Sequence, residues 1–214
     1  MSAVSYETLF PYVQPMVPSC PDPSIVIAIR NAVIEFCDET YYFNDAMDPI
    51  LATAGTSIYE ISVPTDYTLV AVTELYADGL VVHRKAPSEL KTLYNGLDWQ
   101  TIDGFPRYFT QFNTSEIVLC PKPDQTVTLT GHIAYTPTRA STTVEEMLIN
   151  DYAEVLAQGA LARIYAQPDQ SYTNASAALM ARREFMSGIA NAKAYVRGGM
   201  SASTPQRVRF RRFW

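Results

Sequence analysis

The hydrophobic period changes twice along this 214-residue chain, and that limits its fold more than any other feature. From Asp22 the pattern is helical. Ile25, Ala28, Ile29, Ala32, Val33 and Phe36 recur at three- and four-residue spacing, with Asp22 placed to cap and Pro23 suited to a first helical turn. The middle of the chain turns to short β-rich runs. "TSIYEISVP" (56–64) alternates, and "TLVAVTELYADGLVVHRKAP" (68–87) is two runs around Asp78-Gly79. An Asp-Gly pair in that place predicts a tight hairpin, because both central residues must take positive φ. "APSELKTLYNG" (86–96) predicts one short helix capped by Ser88 and closed by Asn95-Gly96. "PRYFTQFN", "SEIVLCPKP" and "TVTLTGHIAYTP" add three more strands. The helical period then returns. "STTVEEMLINDYAEVLAQGALARIYAQ" (141–167) opens on a Ser/Thr cluster and first-turn acids, which predict a helix start. "YTNASAALMARREFMSGIANAKAYVRGG" (172–199) follows after the Pro168-Asp169 break.

This order predicts an α+β fold. A helical bundle, the first helix plus a C-terminal helix pair, is interrupted by a small antiparallel β barrel or sandwich of five or six strands. The expected segments are an extended, proline-rich N-terminal stretch (1–21), the first helix (22–48), a β-rich insert (49–139), the C-terminal helices (140–197), and a linker with an extended arm (198–214). Val26, Ile27 and Ile34 lie off the main stripe of the first helix, so that helix is apolar over more than one face. Such a helix is either central or meets another subunit. Gly159, beside Ala157, Ala160 and Ala162, leaves a thin face where a second helix can come close. Ile27, Ile34 and Gly159 are therefore the candidate subunit-interface residues. Asp78 and Gly79, at an exposed tip, are candidates for contact with a further partner.

Charge is unevenly spread. The chain carries −6 overall, yet its last eighteen residues hold five arginines and no acid, so the remainder carries −11. The end reads "QRVRFRRFW": Arg207, Val208, Arg209, Phe210, Arg211, Arg212, Phe213 and Trp214. Extended, it sets Arg207, Arg209 and Arg211 on one side and Val208 and Phe210 on the other. Arginines and aromatics are the types in which binding energy concentrates. The start shows no basic region followed by an apolar run, so a secretory leader is not expected, and no stretch reaches membrane-spanning length. Cys20, Cys37 and Cys120 are odd in number and far apart, the pattern of small buried hydrophobes rather than a disulfide framework or zinc site. The two histidines, His83 and His132, have no converging acids in sequence, and no nucleophile, P-loop or zincin motif occurs. No catalytic, metal-binding or cofactor-binding residue is predicted.

Three local phrases carry a resemblance. They are the "EF" late in "IVIAIRNAVIEFCDET", the glycine-x-proline-aromatic turn of "GFPRYFTQFNTSEIVLCPKP" before a strand ending in proline-x-proline, and an alanine-rich helix pair broken at "QPDQ". With the order of elements, these make residues 22–197 resemble the head-to-tail adaptor (connector) proteins of short-tailed bacteriophages. The resemblance implies a structural, non-enzymatic virion protein at the head–tail interface, assembled in the bacterial host cytoplasm. It implies a homo-oligomeric ring, dodecameric in the virion, docked on the portal protein above and carrying a downstream tail protein below. DNA would pass through the ring without sequence-specific contact, and no membrane is involved. It also implies a terminal arm that clasps the portal, a role that falls here to residues 198–214, with Arg207–Trp214 as the portal-binding residues. The different-class alternative is a nucleic-acid-binding protein acting through that Arg/aromatic tail, with arginines on phosphates and aromatics stacked on bases. The acidic body argues instead for DNA sliding past.

Overall fold

The computed structural model describes residues 2–197. The described residues make a mixed α+β chain of two compact units: one formed by the residues up to Tyr42 together with those from Thr143 on, the other by Phe43–Thr142.

The first twenty-one residues differ from the extended stretch expected of them. A strand β1 (Ala3–Ser5) leads into 3-10 turns at Tyr6–Leu9 and Gln14–Met16, on either side of a one-turn helix α1 (Phe10–Val13). Pro11 and Pro15 fall in the first turns of helical segments, where the missing N–H costs nothing. Tyr6, Leu9, Val13, Val17 and Cys20 are buried at helical spacing, so the prolines masked an apolar period. Helix α2 (Asp22–Thr40) starts one residue earlier than expected. Pro21 is its cap, Asp22 is its first residue, and the Asp22 side chain makes no capping bond. It ends at Tyr41, left-handed at φ 55°, whose N–H donates to the Cys37 carbonyl at 2.9 Å. The expected stripe, Ile25 to Phe36, is buried along its length.

In the second unit come β2 (Phe43–Ala46), β3 (Ile50–Ala52), β4 (Ile58–Glu60), β5 (Tyr67–Ala77), β6 (Leu80–Val81), β7 (His83–Arg84), α3 (Pro87–Leu93), β8 (Tyr108–Thr110), β9 (Glu116–Cys120) and β10 (Val127–Pro137). They form curled sheets, antiparallel except where β7 meets β8. One sheet runs β2-β10-β5-β6 with β3 on β10, the other β4-β9-β8-β7. Strand β10 organises the first: β2 and β3 take successive halves of one edge, and β5 takes the other. Helix α3 is capped differently from the expectation at Ser88. Pro87 occupies its first turn and holds Ala86 extended, and the Glu89 carboxylate accepts the Ala86 N–H at 2.9 Å.

The chain then returns through β11 (Thr143–Glu145), α4 (Glu146–Tyr165) and α5 (Ala175–Arg197). The Ser/Thr cluster expected to start a helix instead forms β11, antiparallel to β1 with Val4 opposite Val144. β-Branched Thr142, Thr143 and Val144 favour that pairing once a partner strand is present. Helix α4 packs on both α2 and α5. A Cβ at Gly159 would lie 2.7 Å from the Phe185 ring and 2.9 Å from Ala32 Cβ, and one at Gly188 would lie 2.4 Å from Val155. Two glycines, one on each helix, thus let α4 and α5 come close. Where α4 departs from helical geometry, at Tyr152 (φ −132°, ψ 20°), Phe36 and Tyr42 pack on the Tyr152 ring at 4.8 and 5.5 Å. The Tyr42 hydroxyl donates to Asp151 at 2.8 Å.

Candidate interaction surfaces

Helix α2 carries an open ridge. Ile27 is 49% exposed, and Ile34, two turns on, is half-buried on the same face. Asp38 continues that line, exposed, one turn beyond Ile34. Three acids, Glu35, Asp38 and Glu39, crowd the C-terminal turns of α2, where the helix dipole is already negative. Two of them are answered within the unit: Glu39 pairs with Lys193 at 2.5 Å, and Glu35 pairs with both Arg163 and Arg182. Asp38 has no ion pair among the described residues. Burial, then the neighbouring Glu39 and Glu35, push its carboxyl up from the ordinary range.

Beside that network lies a groove of about 700 Å³ between the end of α4 and the start of α5. Its walls are mostly small and apolar: Ala162, Ala166, Ala175, Ala178 and Leu179, the last 73% exposed. Its polar end is built around one ring. The Arg163 and Arg182 guanidiniums stand 5.8 and 5.6 Å from the centre of the Phe185 ring. Arg182 donates to Glu35 at 2.5 Å. Arg163 donates to Glu35, to the Gly159 carbonyl at 2.6 Å and to the Asn31 carbonyl at 3.3 Å. Burial alone would raise the Glu35 carboxyl, but the two guanidiniums outweigh it and hold it below its usual value. The end of the groove therefore carries two cations against one carboxylate.

In the second unit, Asp78 (φ 47°) and Gly79 (φ 81°) form the tight turn between β5 and β6. Asp78 is tied down at both ends: its N–H donates to the Thr128 carbonyl at 2.9 Å, and its carboxylate accepts the Thr128 N–H at 2.8 Å. The exposed apolar surface at this hairpin is Leu80 and Val81. Further exposed apolar side chains, missed in sequence, are Leu93 and Leu97, either side of the Asn95-Gly96 turn, and, separately, Phe112, stacked on Trp99 at 6.4 Å. The available signal was large apolar residues placed in turns, where burial is not expected.

The candidate residues fall in different places. Ile27 and Ile34 share a face of α2. Gly159 is inside the chain, filled by Phe185 and Ala32, so the helix that approaches its thin face belongs to the same subunit. The small-residue surface one turn further, at Ala162 and Ala166, is the part that lines the groove. Asp78 and Gly79 sit at a hairpin tip, and Arg207–Trp214 lie outside the described residues. His83 and His132 are both exposed on strands, and among the described residues no three His, Cys, Asp or Glu side chains converge as a metal site. The three cysteines are buried and free.

The sequence matches the model of one family, described as SU10 adaptor protein, over residues 7–209. No curated protein matches the chain.

Proposed function

The chain belongs to the SU10 adaptor protein family, structural adaptor proteins of bacteriophages, and from that premise we propose that it is the head-to-tail adaptor subunit of a phage virion. It assembles as a ring, dodecameric in the virion, that joins the portal protein to the tail around the DNA channel. Helices α2, α4 and α5 form the helical bundle of that ring, and the β-rich unit Phe43–Thr142, which sequence bounds of 49–139 cut short, is the insert whose Asp78-Gly79 hairpin faces the next tail protein. Residues 198–214 are the portal-binding arm, anchored by Phe210, Phe213 and Trp214 with Arg207, Arg209, Arg211 and Arg212 beside them. Its work is mechanical and needs no cofactor. Assembly takes place in the host cytoplasm.

The family match over nearly the whole chain carries this reading. An acidic body around a DNA channel also fits, since it repels the phosphate backbone and lets DNA slide. No helix among the described residues is long and apolar enough to cross a membrane. Electron microscopy of the purified chain mixed with its portal is the direct test, with a ring on the portal as the expected result. Deleting 205–214 should leave the subunit folded and weaken portal association. A salt-dependent gel shift that disappears with the same deletion, without portal binding, would favour the nucleic-acid reading instead.

A further inference from the structure

We propose that the α2 ridge of one copy, Ile27–Ile34–Asp38, seats in the α4–α5 groove of a second copy. The proposal rests on the ring reading above and names the two faces that build the ring. A closed ring of identical chains is made head to tail, from two different patches that complement each other. The ridge is a convex apolar feature of the helical unit and the groove a concave one, and the charges at their ends are opposite.

A subunit cannot fill its own groove with its own ridge. Glu35 is part of the groove wall, and at about 100° per residue it lies about 80° around α2 from Ile27. Ridge and groove therefore open in different directions from one helix, and a ridge that enters the groove belongs to another molecule. The ridge is a helix face with apolar anchors two turns apart, the form that enters apolar grooves. The walls it would meet are alanines and the exposed Leu179, which leave room for isoleucine side chains.

Charge fixes the direction. The groove ends in Arg163 and Arg182 sharing a single Glu35, and the ridge ends in Asp38, which has no ion pair among the described residues of its own subunit. Spacing agrees with this direction. Asp38 and Ile34 are four helical residues apart, about 6 Å, as are Arg182 and Ala178 on α5. With Asp38 against Arg182, Ile34 lies over Ala178 and Leu179, and Ile27 points toward the α4–α5 turn at Thr173.

Cysteine cross-linking tests the pairing, because Cys20, Cys37 and Cys120 are buried and give a silent background. In rings assembled on the portal, the double variant Ile34→Cys/Leu179→Cys should give a ladder of cross-linked chains on oxidation, and neither single variant should give a dimer. Asp38→Lys, which sets like charge against Arg182, should lower ring yield about tenfold or more without lowering the temperature of thermal unfolding. If rings form by microscopy but the double variant gives no ladder, this pairing is wrong while the ring stands. A dimer from Ile34→Cys alone would mean a twofold contact through the ridge and would equally overturn it. Absence of any ring from the parent chain with portal would overturn the ring reading itself.

Discussion

Helices α2 and α4 are both apolar around more than one face, yet their second faces end in different surroundings. Helix α4 is enclosed by its own chain: Leu148, Leu156, Gly159, Ala160, Leu161 and Ile164 are all buried, against α2 on one side and α5 on another. Helix α2 buries one stripe and leaves Ile27 and Asp38 open. Excess apolarity thus has two meanings, a central position in one helix and an unfilled face in the other. What separates them is residue size. Helix α4 spends its second face on glycine and alanine, which admit a neighbouring helix closely. Helix α2 spends its own on isoleucine, which projects.

The largest effect should come from removing what fills α4. Phe185→Ala takes away the ring that occupies the Gly159 notch and on which both arginines stack, and should cost about 3–5 kcal/mol, read as a lower urea midpoint. Gly159→Leu forces a side chain into space where even a Cβ lies 2.7 Å from Phe185, and should cost about 1–3 kcal/mol or more. This reverses the role expected from sequence, in which Gly159 meets another subunit. If Gly159→Leu abolishes ring assembly at unchanged stability, the contrast between the two helices fails.

The next effect sharpens the join between them. Glu35 is the carboxylate that ties α2 to Arg163 on α4 and Arg182 on α5. Its carboxyl is held below the ordinary value of 4.5, so the unfolded chain takes up the proton first as pH falls. The stability it contributes is complete above that value and is lost as pH drops through the lowered one. Glu35→Gln should cost about 1–2 kcal/mol at neutral pH, and less as the parent's own carboxylate protonates. Urea midpoints of both proteins at neutral pH and at about pH 3.5 check this. An unchanged gap between parent and variant at the two pH values would mean that the network does not hold the helices.

The strands test the second unit on a smaller scale. A Cβ at Gly79 meets nothing within 4 Å, so Gly79→Val is penalised only by its positive φ, at about 1–2 kcal/mol. Asp78→Ala removes the carboxylate that accepts the Thr128 N–H and should cost about 1 kcal/mol. Portal docking should survive both changes, and attachment of the tail protein is the step at risk. Loss of docking with tail attachment intact would contradict the orientation proposed for the hairpin.

Local chemistry was legible in the sequence where it acts over a few residues. The Asp78-Gly79 turn, the buried stripe of α2 and the left-handed Asn95 and Gly96 that close α3 all follow from spacing and from the few residues that tolerate positive φ. What could not be read depends on partners distant in the chain. β11 is a strand because β1, about 140 residues earlier, supplies its ladder, and Thr143 and Val144 look equally at home in a helix start until Val4 is placed opposite. β2 and β3 are short and exist by pairing with β10. The groove was hidden for the same reason: Ala162, Ala166, Ala175 and Ala178 are unremarkable singly, and converge only when α4 and α5 pack side by side. The Glu35–Arg163–Arg182 cluster likewise joins residues with no sequence relation.

The smallest effect on stability should come from Ile27→Asp, and it tests the comparison most directly. Ile27 is half exposed in the second turn of α2, so the substitution gives up about half of an isoleucine's burial and sets the new charge beside solvent. The loss of unfolding free energy should be about 1 kcal/mol or less. The equivalent substitution inside α4, Leu156→Asp, strands an unpaired carboxylate in a fully buried site and should unfold the unit. An interface face predicts the opposite ranking in assembly per unit of stability lost: Ile27→Asp subunits remain folded but fail to join a ring, because each would bring a carboxylate into its neighbour's apolar groove. Circular dichroism and thermal unfolding of the free subunit, set beside ring counts on the portal, separate the two quantities. If Ile27→Asp lowers stability as steeply as Leu156→Asp, the α2 face is part of the subunit's own core and the distinction between the helices disappears.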